Sequence, residues 1–188
     1  MPKYKVSRLR DAFVIYKEKN PAWRILLAEG VGVDDEEIIK IHPIEAVYLL
    51  MKGKATLDGN MKRAIDIQSI VDEWSTKDEN FMFKLATYLD LKERGFPVKI
   101  VDSENISFEV FDRGANVMVD SSKRYIMVVP AEKSISIEQL SNALDYAKNR
   151  GKDLVLAIID QDGDIVYYKV DSVLRFEISL KLRKYGPM

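Results

Sequence analysis

Residues 154–170 read LVLAIIDQDGDIVYYKV, and this stretch decides the fold class. Its first six residues, Leu154–Ile159, form an unbroken apolar run, which predicts a strand buried on both faces. The polar residues 160–164 include Gly163 and predict a tight turn, and residues 165–170 predict a second strand. We therefore expect a β-hairpin in the C-terminal half of the chain.

The rest of the sequence surrounds this hairpin with alternating helical and extended patterns. Helices are predicted over residues 42–53, 61–74, 81–94 and 137–149, and strands over 12–16, 22–28, 96–101, 106–111 and 124–129. In residues 80–170 the order helix, three strands, helix, two strands predicts a mixed α/β (α+β) fold, with a mixed sheet flanked by two helices. The polar run 76–80 separates it from a small N-terminal α/β part, so we expect domains over 1–78 and 79–188.

The composition excludes several classes of chemistry. The chain has 188 residues, 29 basic and 30 acidic, with one histidine and no cysteine. A cysteine nucleophile, a disulfide framework and the usual structural zinc site are therefore excluded. The single histidine, His42, stands just before a predicted helix and is expected to cap it or lie on the surface. The net charge of −1 argues against a chain coated in basic charge. Without a long apolar run, we expect a cytoplasmic protein with no membrane contact.

The glycine-containing and acidic motifs indicate no cofactor or metal. Residues 30–32 are too short for a dinucleotide-binding fingerprint, and the sequence has no Walker lysine motif. Residues 160–164 carry three carboxylates, but their glycine is fourth, whereas an EF-hand loop needs it sixth. Two interpretations of this turn remain: a plain hairpin turn, or an acidic projection that docks on a basic surface. Lys152, just before the apolar strand, is by itself typical of a surface residue.

Three segments resemble motifs of one family. Residues 88–99, YLDLKERGFPVK, are similar to Y-x-D-L-x-x-R-G-Y-x-V-K, and residues 108–114, FEVFDRG, to F-R-V-Y-x-x-G. Residues 152–168 are similar to K-x-L-V-L-A-I-V-D-x-x-G-D-x-x-Y-Y. From Phe81 onward the chain thus resembles the archaeal tRNA-splicing endonucleases, also called tRNA-intron endonucleases.

The resemblance implies a chemistry and shows where this chain departs from it. Members of the family cleave pre-tRNA at bulge–helix–bulge motifs without metal, leaving a 2′,3′-cyclic phosphate and a 5′-hydroxyl. A tyrosine acts as base, a histidine as acid, and a lysine stabilises the charge on phosphorus. Here the tyrosine position holds Phe111 and the histidine position holds Ser122 or, with a shift of one, Ser121; Lys152 matches the lysine. Asn142 and Asp145 stand on the helix where catalytic members carry arginines. We expect no catalytic site in this chain.

The resemblance also implies how the chain would assemble. The family docks an acidic loop into a basic cleft of a neighbouring subunit and pairs one strand across a dimer interface. By that likeness the docking loop contains Asp160, Asp162, Gly163 and Asp164, and the dimer strand contains Ile165, Val166, Tyr167, Tyr168 and Val170. The sequence then predicts a non-catalytic, structural subunit of a heterotetramer, with two copies of this chain and two of a catalytic subunit, that meets pre-tRNA through the complex.

Two other functions remain open on the sequence. The first is an active metal-free endoribonuclease that uses Lys152 with an unrecognised base such as Tyr125 or Tyr146. The second is a homodimeric RNA-binding module with no enzyme partner, which would use a basic face on its C-terminal tail; a solvated C-terminal helix is the preferred interpretation of that tail. The tail's basic residues are Arg175, Lys181, Arg183 and Lys184.

Overall fold

A computed structural model describes the greater part of the chain. The described residues are 4–9, 12–58, 66–101, 103 and 105–172. The chain divides into two compact units, residues 1–99 with 111–121 and residues 100–110 with 122–188. By this division, residues 79–99 belong to the first unit. The domain limits 1–78 and 79–188, which rest on the polar run 76–80, stay a prediction.

The first unit combines a mixed sheet with four helices in its described residues. The strands are Tyr4–Leu9 (β1), Ala12–Tyr16 (β2), Val33–Asp35 (β3), Ile38–Ile41 (β4) and Ala55–Leu57 (β5), and the helices are Trp23–Ala28 (α1), Pro43–Met51 (α2), Ile67–Lys77 (α3) and Phe81–Glu93 (α4). The sheet order is β3-β4-β2-β1-β5, in which only β1 and β5 pair in parallel. Helix α2 packs against β2, β5, α3 and α4, so it forms the centre of this unit.

The start of α2 confirms that His42 caps a helix. Its Nδ1 accepts a hydrogen bond from the amide of Ile44 at 3.2 Å. The carboxylate of Glu45 accepts in return from the amide of His42 at 2.9 Å, which completes a capping box. Pro43 occupies the first helical turn, where its missing N–H has no consequence.

Two predicted elements of the first unit need correction. The strand expected over residues 22–28 is wrong, because Trp23–Ala28 is a short helix that buries Leu26 and Leu27. Short apolar runs do not distinguish a buried strand from a buried helix. The helix expected over 61–74 is observed as α3, but it begins at Ile67, after the cap residue Asp66, and ends at Lys77; residues 61–65 lie outside the described residues.

The second unit contains the predicted hairpin in a mixed sheet. Its elements are Phe108–Val110 (β7), Arg124–Pro130 (β8), Ile137–Lys148 (α5), Asp153–Ile159 (β9) and Ile165–Val170 (β10), preceded by Val98–Ile100 (β6) at the boundary. The sheet order is β10-β9-β8-β7, followed by β6. β8 and β9 pair in parallel, whereas β7 with β8 and β9 with β10 pair antiparallel. The predicted order of elements and the mixed α/β class are confirmed.

The core of the second unit lies between α5 and the central strands. Alternate residues of β8 and β9 face one side of α5, whose apolar residues recur at helical spacing. The buried set is Ile106, Tyr125, Met127, Val129, Leu140, Ala143, Leu144, Ala147, Leu154, Leu156 and Val170. Val155 and Ala157, on the opposite face of β9, are buried too, so its predicted burial on both faces is confirmed.

Candidate functional site

Three strands of the second unit bring Glu109, Ser122 and Lys152 to one end of the sheet. Ser122 and Lys152 stand just before β8 and β9, which are parallel neighbours, so both residues lie at the same end. β7 runs antiparallel to β8 and places Glu109 opposite Tyr125. Residues far apart in the sequence thus converge because of strand order and direction.

The end of α5 sets the backbone position of Lys152. The amide of Gly151 donates to the carbonyl of Lys148 at 2.9 Å, and the amide of Lys152 donates to that of Ala147 at 3.0 Å. Gly151 has a φ of +65°, a left-handed conformation that glycine adopts without strain at a helix end. This turn connects the helix to β9 and delivers the lysine side chain to the sheet.

The side chains of these three residues form one hydrogen-bonded group, the Lys152–Glu109–Ser122 cluster. The Lys152 ammonium pairs with the Glu109 carboxylate and donates to the Ser122 hydroxyl. The Ser122 hydroxyl donates to Oε1 of Glu109 at 2.5 Å. The side chains of Lys152 and Glu109 are only 16% and 21% exposed, and Ser122 is 6% exposed. The cluster is therefore a largely buried polar network.

The ring of Tyr125 packs against the Lys152–Glu109–Ser122 cluster. Its ring centroid lies 4.8 Å from the Lys152 ammonium and 5.3 Å from the ring of Tyr146. Burial raises the pKa of the Tyr125 phenol above its usual value of 10, and the charge of Glu109 raises it further, while Lys152 acts in the opposite direction. A phenol with a raised pKa stays protonated at neutral pH, so little phenolate is available to accept a proton.

The charges of the Lys152–Glu109–Ser122 cluster can be compared with what phosphoryl transfer needs. A site for that reaction needs a cation directed at the developing negative charge on phosphorus. Here the cation of Lys152 is neutralised by Glu109, and a phosphate brought to it would meet that carboxylate as well. The hydroxyl of Ser122 has no tendency to donate a proton near neutral pH. The arrangement is suited to stabilising the end of the sheet.

The two other aligned positions lie in the first unit. Phe111 is 3% exposed, and its amide donates to the carbonyl of Pro97 at 3.0 Å. Its ring is apolar and carries no hydroxyl. Ser121 is exposed. Of the two serines that could stand for the family histidine, Ser122 is the one hydrogen-bonded to Lys152.

The outer face of α5 and the C-terminal tail complete the positions named from the sequence. Asn142 and Asp145 are exposed on α5. The guanidinium of Arg150 lies 3.7 Å from the ring centroid of Tyr146. The proposed basic tail, including Arg175, lies outside the described residues.

The acidic turn between β9 and β10 closes on itself through Asp160. The amide of Asp164 donates to Oδ1 of Asp160 at 2.9 Å, and the amide of Gly163 donates to the carbonyl of Asp160 at 3.2 Å. Gly163 has a φ of +88°, as such turns require. Asp162 and Asp164 are exposed. One carboxylate therefore shapes the loop, and the other two face outward.

Among the described residues, β10 is the last strand of its sheet. Every residue from Ile165 to Val170 pairs with β9, in a register that sets Val166 opposite Ile158. No further strand lies beside its other edge within the described residues. Val166 is 49% exposed, which is high for an aliphatic side chain. An edge of this kind can accept another strand.

The described residues hold no metal-binding group. No three His, Cys, Asp or Glu side chains come together there in an arrangement that could hold a metal ion. In the same part of the chain, no helix is long and apolar enough to cross a membrane.

Sequence reasoning missed Glu109, the partner of Lys152. The two residues are 43 positions apart, and only the pairing of β7, β8 and β9 brings them together. One signal was present in the sequence: the similar motif F-R-V-Y-x-x-G has arginine at the second position, where this chain has Glu109. A reversal of charge beside the lysine position could have identified the pair.

The sequence of this chain is similar to those of one family of known proteins. The model of the tRNA intron endonuclease catalytic C-terminal domain matches residues 81–167. A tRNA-splicing endonuclease of Pyrococcus furiosus is 33% identical over 159 residues, which cover 84% of this chain and 90% of that protein. The enzyme of the same name from Thermococcus kodakarensis is 34% identical over 131 residues, or 69% of this chain and 75% of that protein. A longer tRNA-splicing endonuclease, from Methanosarcina acetivorans, is 27% identical over 139 residues, which cover 74% of this chain and 39% of that protein.

Proposed function

The chain belongs to the tRNA-splicing endonuclease family, and from this membership we propose that it is the structural, non-catalytic subunit of such an enzyme. In the proposed assembly, two copies of this chain position two copies of a catalytic subunit that removes introns from pre-tRNA in the cytoplasm. The observation that carries the proposal is the pairing of Lys152 with Glu109.

The Lys152–Glu109–Ser122 cluster supports the absence of catalysis in this chain. Phe111 cannot take a proton from a 2′-hydroxyl, and Ser122 cannot protonate a departing oxygen. Lys152 alone matches the family's catalytic set, and its charge is already balanced within the chain. All three roles of the reaction are therefore compromised together.

The hairpin supports a role in assembly. Two exposed carboxylates, those of Asp162 and Asp164, project from a loop that Asp160 holds in shape. Like charges concentrated on a projecting turn favour a cationic surface as partner. The adjacent strand β10 is the last of its sheet among the described residues and exposes Val166, as a strand that meets another subunit would. Docking loop and pairing strand are thus contiguous, and neither depends on the lost catalytic groups.

The competing function is an active, metal-free endoribonuclease. It would require Lys152 with a base such as Tyr125 or Tyr146. The ring of Tyr125 is close to Lys152, but burial and Glu109 raise its pKa, which disfavours proton abstraction at neutral pH. Tyr125 is therefore close enough to Lys152 to act as the base, but its phenol stays protonated at neutral pH.

The decisive experiment mixes this chain with a homologue from the same genome that retains the tyrosine and the histidine. We expect a heterotetramer by size-exclusion chromatography with light scattering, and cleavage of a bulge–helix–bulge RNA only in the mixture. The triple variant Asp160→Asn, Asp162→Asn, Asp164→Asn should lose assembly, although each amide oxygen can still accept a hydrogen bond.

A matched control removes the same number of charges elsewhere in the second unit. Glu132, Glu138 and Asp145 are exposed, so the variant Glu132→Gln, Glu138→Gln, Asp145→Asn should assemble normally. The proposal fails if no complex forms, or if the hairpin variant assembles and supports cleavage as the wild type does. Cleavage by the isolated chain that Lys152→Ala abolishes would establish the competing function.

A further inference from the structure

A cavity in the first unit has the features of a ligand site and takes no part in the function proposed above. Its volume is about 510 Å³, within the range of about 300–1,000 Å³ typical of small-molecule sites. Twelve residues of the first unit line it, and three of them are charged: Glu29, Lys54 and Lys92.

The two ammonium groups lie against the same aromatic ring. The Lys54 and Lys92 nitrogens are 5.3 Å and 5.4 Å from the ring centroid of Tyr48. Lys54 also donates to the Tyr48 hydroxyl at 3.2 Å and contacts the Glu29 carboxylate at 3.3 Å. The Lys92 ammonium donates to the backbone carbonyl of Glu29 at 2.9 Å. Both ammonium groups are therefore held by contacts within the unit, and the Lys54 side chain is 39% exposed.

The charge of the lining favours a singly charged anion. Two ammonium groups against one carboxylate leave one net positive charge. Burial lowers the pKa of Lys92 to about 8, so the group is still mainly protonated at neutral pH but is poorly solvated. An anion beside a desolvated ammonium would restore the interactions that the group has lost with water. A phosphodiester carries one such charge.

The rest of the lining includes several apolar side chains. Ile25 is 48% exposed, and it joins Ala28, Phe96 and Pro97 around the cavity. The ring of Phe96 also carries the guanidinium of Arg113 at 4.9 Å. Aromatic and apolar side chains of this kind receive the flat faces of unstacked bases in single-stranded RNA. Asn116 adds an amide, a group that can pair with a base edge.

We infer that this cavity binds one nucleotide of a single-stranded RNA segment, with its phosphodiester at Lys54 and Lys92 and its base against the apolar wall. The choice of RNA as the source of the phosphate rests on the proposed role in an RNA-processing complex. The site itself rests on the cavity, the paired cations and the apolar lining.

The test measures binding to the isolated full-length chain, without cleavage or assembly. Hexauridylate, uridine monophosphate and inorganic phosphate are titrated separately and followed by calorimetry. We expect hexauridylate to bind, with affinity reduced at least tenfold by Lys92→Met and by Ile25→Asp, which places a carboxylate in the cavity wall. Lys40→Gln removes an exposed cation of the same unit and should leave the affinity unchanged. Far-UV circular dichroism and melting curves verify that each variant is folded.

Each outcome has a distinct meaning. If Lys92→Met and Ile25→Asp reduce the affinity for uridine monophosphate as much as the affinity for hexauridylate, the inference is supported and the site also accepts free nucleotides. Hexauridylate binding that neither Lys92→Met nor Ile25→Asp weakens would overturn the assignment, as would no binding at all. Inorganic phosphate binding as tightly as hexauridylate would exclude recognition of a nucleotide. A chain that assembles with its catalytic partner yet fails these titrations would refute this inference alone.

Discussion

The ammonium of Lys152 is paired with the carboxylate of Glu109, which stands 43 positions earlier on a neighbouring part of the same sheet. Lys152 matches the lysine that the family uses to stabilise negative charge in its reaction. In this chain the lysine at that position is paired with a carboxylate. The consequence is structural as well as functional, because both side chains are largely buried.

The first prediction concerns the contribution of this pair to stability. Glu109→Gln and Lys152→Met should each lower the free energy of unfolding by about 1–3 kcal/mol, because each removes one charge of a largely buried ion pair and leaves the other less well compensated. The double variant should lose less unfolding free energy than the two single variants lose together, and this difference, the coupling energy of the pair, should be about 1–2 kcal/mol. Urea denaturation of the wild type, both single variants and the double variant measures this cycle.

A surface pair provides the matched control for that cycle. Lys52 and Glu93 form a salt bridge with side chains 39% and 60% exposed. Solvent screening limits such pairs to about 0–1 kcal/mol. The cycle Lys52→Met and Glu93→Gln should therefore show little coupling. Equal coupling in the two cycles would show that the Lys152–Glu109 pair gains nothing from its burial.

The second prediction concerns the assembled enzyme. Because Glu109 already balances the charge of Lys152, we expect Lys152→Ala in this chain to change the cleavage rate of the assembly by less than about twofold. The measurement is the single-turnover rate on a bulge–helix–bulge RNA at saturating enzyme. Replacing the corresponding lysine of the catalytic partner is the positive control and should abolish cleavage. A loss of tenfold or more from Lys152→Ala, with assembly intact, would assign this lysine a role in the reaction.

The third prediction concerns Glu45 and pH. This carboxyl is 3% exposed, and burial raises its pKa from 4.5 to about 7, against the effects of the Gly32 and His42 amides and of Lys92. The folded chain then keeps a proton between pH 4.5 and 7 that the unfolded chain releases. Stability from this group therefore falls as pH rises through that window, by about 3 kcal/mol at most.

Comparison with Glu45→Gln isolates the titration of this group. The glutamine side chain does not ionise, so the difference in unfolding free energy between wild type and variant should shrink as pH rises from 4.5 to 7. Glu37→Gln, the same substitution at an exposed position of the same unit, is the matched control. Urea midpoints at three pH values are sufficient. A constant difference for Glu45→Gln would contradict the raised pKa.

Sequence patterns predicted the elements that local chemistry specifies. The hairpin was predictable because an apolar run, a glycine-containing polar turn and a second strand follow one another directly. The cap at His42 was predictable from the proline after it. Helix α1 was not, because the six residues Trp23–Ala28 are too few to distinguish helical from extended spacing.

The candidate site could be predicted only in part from the sequence, for a different reason. Similarity of motifs identified Lys152, Phe111 and Ser122 one position at a time. The interaction that changes the meaning of Lys152 involves Glu109, and it depends on which strands are neighbours and in which direction they run. A one-dimensional pattern contains no statement about neighbours across a sheet, so the buried ion pair became visible only in three dimensions.

The fourth prediction tests the edge of β10. Val166 is 49% exposed on a strand whose outer edge lacks a neighbour among the described residues. Val166→Lys should change the free energy of unfolding by no more than about 0.5 kcal/mol, because its side chain makes little use of the core. In the proposed assembly the added charge would be buried against another strand, so association with the catalytic partner should weaken at least tenfold.

Ile137→Lys is the matched control for this edge. Ile137 is 60% exposed at the start of α5, in the same unit, so the substitution introduces the same charge at another exposed aliphatic position. Light scattering of the mixed subunits should show the heterotetramer for Ile137→Lys and not for Val166→Lys. Melting temperatures of the separate chains establish that both are folded. If Val166→Lys assembles as well as Ile137→Lys, β10 is not the strand that forms the interface, and docking through the acidic turn alone would have to account for the complex.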